Sequence, residues 1–307
     1  MASTPDTVMD ERRQLVSVAY RMLGSLAEAE DAVQEAYTRW YALAPRERAV
    51  IESPGAWLTK VTSRICLDVL RSARVRRERY VGQWVPEPVP GGAQWASGRW
   101  VDGAGDPAHR VTLDESISMA FLVVLESMTP AERVSFILHD VFRYSFADVA
   151  EIVGRTPAAC RQLASSARRH LDSSDAPTAP RAECAAVVRR FKQAWEALDV
   201  DALVSLLDPG IVTVADGGGR VSAALEPVVG RDQVGRGFMR VAADAPNLTL
   251  LEASVNGQPG LVAQEDGVTV TVLAFAFGGD RITRIWAVRN PDKLGSWPGQ
   301  SARSSPT

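Results

Sequence analysis

The chain lacks any apolar run of membrane-spanning length, and its start, MASTPDTVMDERRQL, reaches acidic and basic residues at once. A secretory leader needs a basic start, an apolar stretch and a small-residue cleavage site, so neither export nor membrane association is expected, and the chain is predicted to be cytoplasmic. Cysteine is scarce: Cys66, Cys160 and Cys184 stand far apart, with no CxxC and no Cys/His ligand spacing. Such a set argues against a disulfide framework and a structural zinc. Cys66 and Cys160 lie among apolar residues at helical spacing, as small buried hydrophobes do. Histidine is as rare, with only His109, His139 and His170. General acid–base chemistry in the C-terminal third would therefore fall to carboxylates such as Asp216 or Asp232. No metal or cofactor is expected.

The 307 residues exceed one ordinary domain, and four textures divide them. Val8 to Arg79 is helical in period, with a break at Pro54-Gly55. Tyr80 to Asp106 is rich in Pro, Gly and Trp without periodicity, and Val111 to Leu171 is helical again. After DSSDAPTAP (172–180), helices lead into alternating strands such as GVTVTVLAFAF and DRITRIWAV. The predicted organisation is a helical domain at 8–79, a linker at 80–112, a second helical domain at 113–172, a helix-and-strand domain at 181–294 and a flexible tail at 295–307.

Acidic residues are missing from GRTPAACRQLASSARRHL (154–171), although the whole chain carries a net charge of −3. Ser145 is an N-cap candidate for a short helix ending at Gly154, and Thr156-Pro157 starts a second one. Two helices joined by a three-residue turn containing Gly form a helix-turn-helix. Cys160, Leu163, Ala164, Ala167 and Leu171 share the inner face of the second helix, and Arg161, Gln162, Ser165, Arg168 and Arg169 share the outer one. Arg161 and Gln162 are placed to read guanine and adenine edges, with Arg168 and Arg169 on phosphates. The plainer alternative is a solvated helix with cations near its C-terminus.

A second basic helix starts at Ser53-Pro54. Leu58, Val61, Ile65, Val69 and Ala73 form its expected inner stripe, and Lys60, Arg64, Asp68, Arg71 and Arg74 its outer face, followed by Arg76, Arg77 and Arg79. Such a cluster supplies sequence-independent DNA affinity through counterion release. Upstream, Glu28, Asp31, Gln34 and Glu35 gather on one helix side, a surface suited to a basic protein partner.

In this order the segments resemble an extracytoplasmic-function sigma factor, a promoter-recognition subunit of bacterial RNA polymerase. AEAEDAVQEAYTRWY is similar to that family's acidic clamp-binding helix. AWLTKVTSRICLDVLRSARVRRE resembles its helix for the −10 element, and LESMTPAERVSFILHDVFRYSFADVAEIVGRTPAACRQLASSARRHL its −35-binding domain. The resemblance implies core RNA polymerase and promoter DNA as partners. It places Asp31, Gln34 and Glu35 on the polymerase, and Lys60, Arg64, Arg71, Arg74, Arg76 and Arg77 on the −10 element. Arg155, Arg161, Gln162, Ser165, Arg168 and Arg169 fall on the −35 element. Ala44 to Ser53 would hold a flipped-out base. Arg64 departs from the Asn that many members carry.

Arg181 to Leu294 resembles the SnoaL-like fold, a curved, mostly antiparallel sheet wrapped around helices into a cone with an apolar pocket. YVGQWVPEP, DGGGR and NPDKL match the sigma-factor group with such an extension. The implied fold class is therefore multidomain: two all-α domains, the second a helix-turn-helix, followed by an α+β cone. Regulation in cis is expected through Asp216, Gly217, Gly218, Gly219, Arg220, Asn290 and Pro291, with room for an unidentified small-molecule ligand in the pocket and no enzymatic role. The aromatic linker residues Tyr80, Trp84, Trp95 and Trp100 should dock, either on this chain's own domains or inside the polymerase. A stand-alone ligand-responsive regulator and an enzyme with a DNA-binding appendage are the rival readings.

Overall fold

The computed structural model describes residues 5–77, 80–91, 117–172 and 180–299, with side chains at 11–72, 80–91, 117–171 and 180–299. The described residues fall into two compact units: 5–77, 117 and 121–172 in the first, and 80–91, 118–120 and 180–299 in the second. In the first, α1 (Pro5–Leu23), α2 (Leu26–Ala42), α3 (Pro45–Val50) and α4 (Pro54–Arg77) precede α5 (Met119–Leu125), which belongs to it from Phe121 on. There follow α6 (Pro130–Phe136), which runs into one π-helical turn (Ile137–Val141), then α7 (Phe146–Val153) and α8 (Pro157–Asp172). Gly24, at φ 70°, reverses the chain after α1, and the Ser25 hydroxyl caps α2 by accepting from Glu28 N. Val18, Ala19 and Met22 of α1 and Ala29, Val33 and Ala36 of α2 are fully buried.

The buried face of α4 is rotated by about one position from the expected stripe. Leu58, Thr59, Thr62, Ser63, Cys66, Leu67 and Leu70 are buried, whereas Val61, Ile65 and Val69 are only half-buried. A helical Thr can enter a core when its hydroxyl bonds back to the preceding turn, as Thr59 Oγ1 does to Gly55 O at 2.9 Å. Burial pushes the Cys66 thiol up, which leaves it inert.

The second unit contains α9 (Arg181–Glu196), α10 (Val200–Ser205), β1 (Leu207–Asp216), β2 (Val228–Val229), α11 (Arg231–Asp244), β3 (Thr249–Val255), β4 (Gln258–Glu265), β5 (Val268–Gly278) and β6 (Arg281–Val288). One sheet runs in the order β2-β1-β6-β5-β4-β3, parallel at β1/β6 and antiparallel elsewhere. Its helix-facing side packs on an aromatic cluster, in which Phe191 meets Phe238 edge-on at 5.1 Å and Phe275 at 5.5 Å. The flexible tail expected from residue 295 starts too early. Trp297 is 4% exposed and donates from Nε1 to Pro88 O at 2.9 Å, and Thr269 Oγ1 donates to Pro298 O. A buried indole with a satisfied N–H anchors chain that has no periodic pattern of its own.

Candidate nucleic-acid surfaces and the linker dock

The helix-turn-helix is assembled by local caps. Asp148 N donates to Ser145 Oγ at 3.2 Å while the Asp148 carboxylate accepts the Ser145 hydroxyl at 2.6 Å, a reciprocal capping box. Gly154 ends α7 at φ 72°, and Thr156 Oγ1 accepts from Ala159 N to start α8. Cys160, Ala164 and Ala167 are fully buried, and Leu163 and Leu171 half-buried. Arg155, Arg161, Gln162, Ser165 and Arg169 are exposed. The Arg161 guanidinium lies 5.1 Å from the Phe146 ring centroid, and that ring stacks on His139. Arg168 differs from the free cation expected. Its Nε donates to Asp140 Oδ1 at 2.7 Å, a partner 28 residues earlier in the π turn that helical periodicity cannot reveal.

On α4, the Lys60 ammonium pairs with the Glu151 carboxylate, and Arg64 Nη2 donates to Glu151 O at 2.8 Å. Glu151 belongs to α7, so the two candidate DNA-binding elements touch through residues assigned to the −10 contact. Arg71 pairs with Asp68 on its own helix at 3.1 Å. The side chains of Arg74, Arg76 and Arg77 lie outside the described residues. Beneath these surface contacts, Arg133 of α6 is 3% exposed. It donates to Met22 O in the last turn of α1 at 3.0 Å and pairs with Glu126 at 2.7 Å. The guanidinium thus completes the carbonyl end of α1, and burial pushes its pKa down to about 9. Arg21 of α1 in turn lies 5.6 Å from the Phe142 ring centroid.

Asp31, Gln34 and Glu35 are exposed on α2, opposite its buried Ala29, Ala32, Val33 and Ala36. Glu35 pairs with Arg39 at 2.9 Å, an exposed i,i+4 contact of about 0.3–0.5 kcal/mol, easily exchanged for a partner's cation. Between α2 and α4, α3 carries Val50 at 80% exposure.

The densest polar cluster surrounds Asp216, which is 0% exposed at the end of β1. Its carboxylate accepts from Tyr80 Oη at 2.6 Å, Val85 N at 3.0 Å and Lys293 Nζ at 2.7 Å. Lys293 also donates to Val85 O and sits 4.2 Å from the centroid of a Trp84 ring. Asn290 Nδ2 donates to Tyr80 Oη at 2.9 Å, and Asn290 Oδ1 accepts from Asp292 N to start the 3₁₀ turn Pro291–Lys293. Burial and the Asp216 carboxylate push the Tyr80 phenol up, so it remains a neutral donor. Gly218, at φ 61°, faces the Asn290 side chain so closely that a Cβ would collide with it. Gly217 lies as near to Val221 O, and a Cβ on Gly219 would press on Val81. Arg220 pairs with Asp292 at 3.3 Å, joining the two loops.

The linker segment 80–91 is thus a strap on the second unit. Its far end joins the sheet edge at β3, where Gly91 N donates to Ser254 O at 2.7 Å, Asn256 N to Val89 O at 2.8 Å and Val89 N to Asn256 Oδ1 at 3.1 Å. Val85, Glu87 and Val89 are buried. Every residue expected to act between domains, Asp216 to Arg220 with Asn290 and Pro291, belongs to this dock or its walls. Lys293, Asn256 and Glu151 were missed. A lysine inside the NPDKL stretch was a readable signal for the first; the other two pair over long sequence separations without one.

Between the sheet and α11 lies a cavity of about 450 Å³. Neither carboxylate weighed as a catalytic base, Asp216 or Asp232, lines it. Among the described residues, no group of side chains could hold a metal ion, and no helix is long and apolar enough to cross a membrane.

Residues 7–76 match Sigma-70 region 2, and residues 118–171 match Sigma-70, region 4. The chain is 37% identical to the ECF RNA polymerase sigma factor SigJ of Mycobacterium tuberculosis, across 96% of this chain and 95% of that one. It is also 37% identical to a probable ECF RNA polymerase sigma factor, SigI, of the same species, across 92% of each. The crystal structure of the M. tuberculosis SigJ protein superposes with a TM-score of 0.74 at 35% identity, covering 95% of this chain and 99% of that one. With both sigma regions in order and relatives matched along nearly their whole length, this chain belongs to the extracytoplasmic-function family of RNA polymerase sigma factors.

Proposed function

We propose that this sigma factor reads promoters with α4 and α8, docks on core polymerase through α2, and is restrained in cis by the second unit, which holds the linker between the two sigma regions. Lys60, Arg64 and Arg71, with Arg74, Arg76 and Arg77 farther along the helix, contact the −10 element. Arg155, Arg161, Gln162, Ser165 and Arg169 contact the −35 element, with Arg168 positioned on Asp140. Asp31, Gln34 and Glu35 face the polymerase. The observation that carries the regulatory reading is the burial of the strap on Asp216, Asn290 and Lys293. A linker captured on another domain cannot at the same time follow a path through the polymerase, and the covalent tether keeps its effective concentration at the dock high. The second unit acts in this reading as a binding domain, because Asp216 is fully committed to structural partners.

Reconstituted transcription with bacterial core polymerase tests this. Full-length chain should initiate only with core present, and Arg161→Ala should lower initiation roughly tenfold, a loss within the about 1–3 kcal/mol of a bidentate base contact. Asp31→Ala with Glu35→Ala should weaken capture of core. Asp216→Ala should raise initiation at equal sigma concentration. Tight duplex binding with no core association would replace this reading with a stand-alone regulator, and an unchanged Asp216→Ala would remove the second unit from regulation.

A further inference from the structure

The cavity and the strap share their walls. Val221 and Ala223 of the loop after Arg220, and Pro291 and Leu294 of the 3₁₀ turn, line the cavity. The same two loops hold the strap through Gly219 against Val81, Leu225 against Gly82 and Gln83, and Asn290 and Lys293 against Tyr80 and Val85. Whatever fills the cavity therefore touches the two loops whose neighbouring residues anchor the linker.

The cavity is chemically lopsided. Trp195, Phe238, Leu273 and Ala287 give it apolar walls. Its volume lies in the range of small-molecule sites. Thr213 also lines it, and its Oγ1 is shielded from solvent with no hydrogen-bond partner among the described residues. On the sheet Thr213 pairs with Ile285, and the row beyond runs Ala215–Ala287–Leu273. Charge is confined to the rim: Glu265 is exposed, and half-buried Arg289 already donates to Ser222 O. A buried hydroxyl left unpaired is costly, and an unpaired charge among apolar walls costs far more.

We propose that this cavity is a receptor site for a neutral, apolar molecule carrying one hydrogen-bonding group for Thr213, and that its occupancy locks the linker strap onto the second unit. The proposal rests on the reading of the dock as regulatory. A ligand that touches the two loops in their docked position binds that arrangement better than one with the loops released, so it shifts the population toward the docked state.

Gly237 of α11 lines the cavity, and a Cβ there would meet no atom within 4 Å. Gly237→Leu therefore takes up part of the site without a clash while improving helix propensity. N-phenyl-1-naphthylamine, a neutral apolar fluorophore with one N–H, is the probe. Titrated into full-length chain it should brighten saturably. Gly237→Leu should weaken binding more than tenfold, and Thr213→Val roughly three- to tenfold, as for one lost hydrogen bond. Bound probe should slow amide exchange across residues 80–91. Absence of saturable binding, or binding that neither variant weakens, overturns the site. Binding that both variants weaken, with unchanged exchange at 80–91, overturns the coupling. Either failure leaves the effect of Asp216→Ala on transcription standing, so the site and the regulatory reading are judged separately.

Discussion

Two ion pairs hold segments to which the proposed function gives a part in promoter recognition, and they could hardly differ more. Lys60 and Glu151, joining α4 to α7, have side chains 37% and 63% exposed. Lys293 and Asp216, holding the strap, are 10% and 0% exposed. An exposed pair is screened by salt and gains little over water, so a DNA phosphate can replace Glu151 at small cost. A buried pair is either complete or badly broken, because losing one partner strands the other's charge. The surface contact thus suits exchange with DNA, and the buried one suits a two-state restraint.

The largest expected effect comes from breaking the buried member. Lys293→Ala leaves Asp216 with Tyr80 and Val85 N but no cation. Loss of one partner of a buried pair costs about 3–5 kcal/mol, but the strap can leave and let water reach Asp216, so the loss is capped by the strap's own docking free energy. Amide exchange across 80–91 should accelerate by orders of magnitude while β5 and β6 keep their protection. Uniform loss across the sheet would mean that the pair supports the whole unit and not a detachable strap.

Arg133 stands between the extremes. It is buried as deeply as Lys293, yet its contacts are one carbonyl and one partly exposed carboxylate. Arg133→Met keeps most of the apolar stem and removes the charge-assisted bonds, at about 1.5–3 kcal/mol. A fluorophore pair on α2 and α8 should report a larger fraction of molecules with the two helical groups apart. An unchanged distance distribution would show that apolar packing alone holds α1 against α6.

How much of this was legible in the sequence follows the same division. The helix-turn-helix could be read because its determinants are neighbours: Ser145 with Asp148, Gly154, and Thr156 before Pro157. The buried face of α4 could not, because Thr59, Thr62 and Ser63 count as polar in a pattern until their hydroxyls are seen inside the helix packing. Prolines and aromatics marked the whole linker as chain that should dock. Trp95 and Trp100 lie outside the described residues, and the described part, 80–91, docks on the second unit. Its anchors lie more than 130 residues away, where no periodicity reaches. Arg168 looked free for the same reason, since Asp140 lies outside its helix. Trp297 looked like tail because its partner, Pro88, is a linker carbonyl.

The smallest effect is also the sharpest test of the exposed member. Lys60→Ala, Glu151→Ala and the double variant form a cycle whose coupling should be about 0.2–1 kcal/mol and should shrink as salt rises. Arg64 complicates the singles, because its bond goes to the Glu151 backbone carbonyl and survives Glu151→Ala; the cycle removes that shared term. If Glu151 stands in for a phosphate, Glu151→Ala should strengthen binding to a −10 single strand, whereas Lys60→Ala should weaken it and flatten its salt dependence by about one ion. A coupling of several kcal/mol would place this pair in the same class as Lys293 and Asp216, and DNA would then have to compete with a second buried restraint.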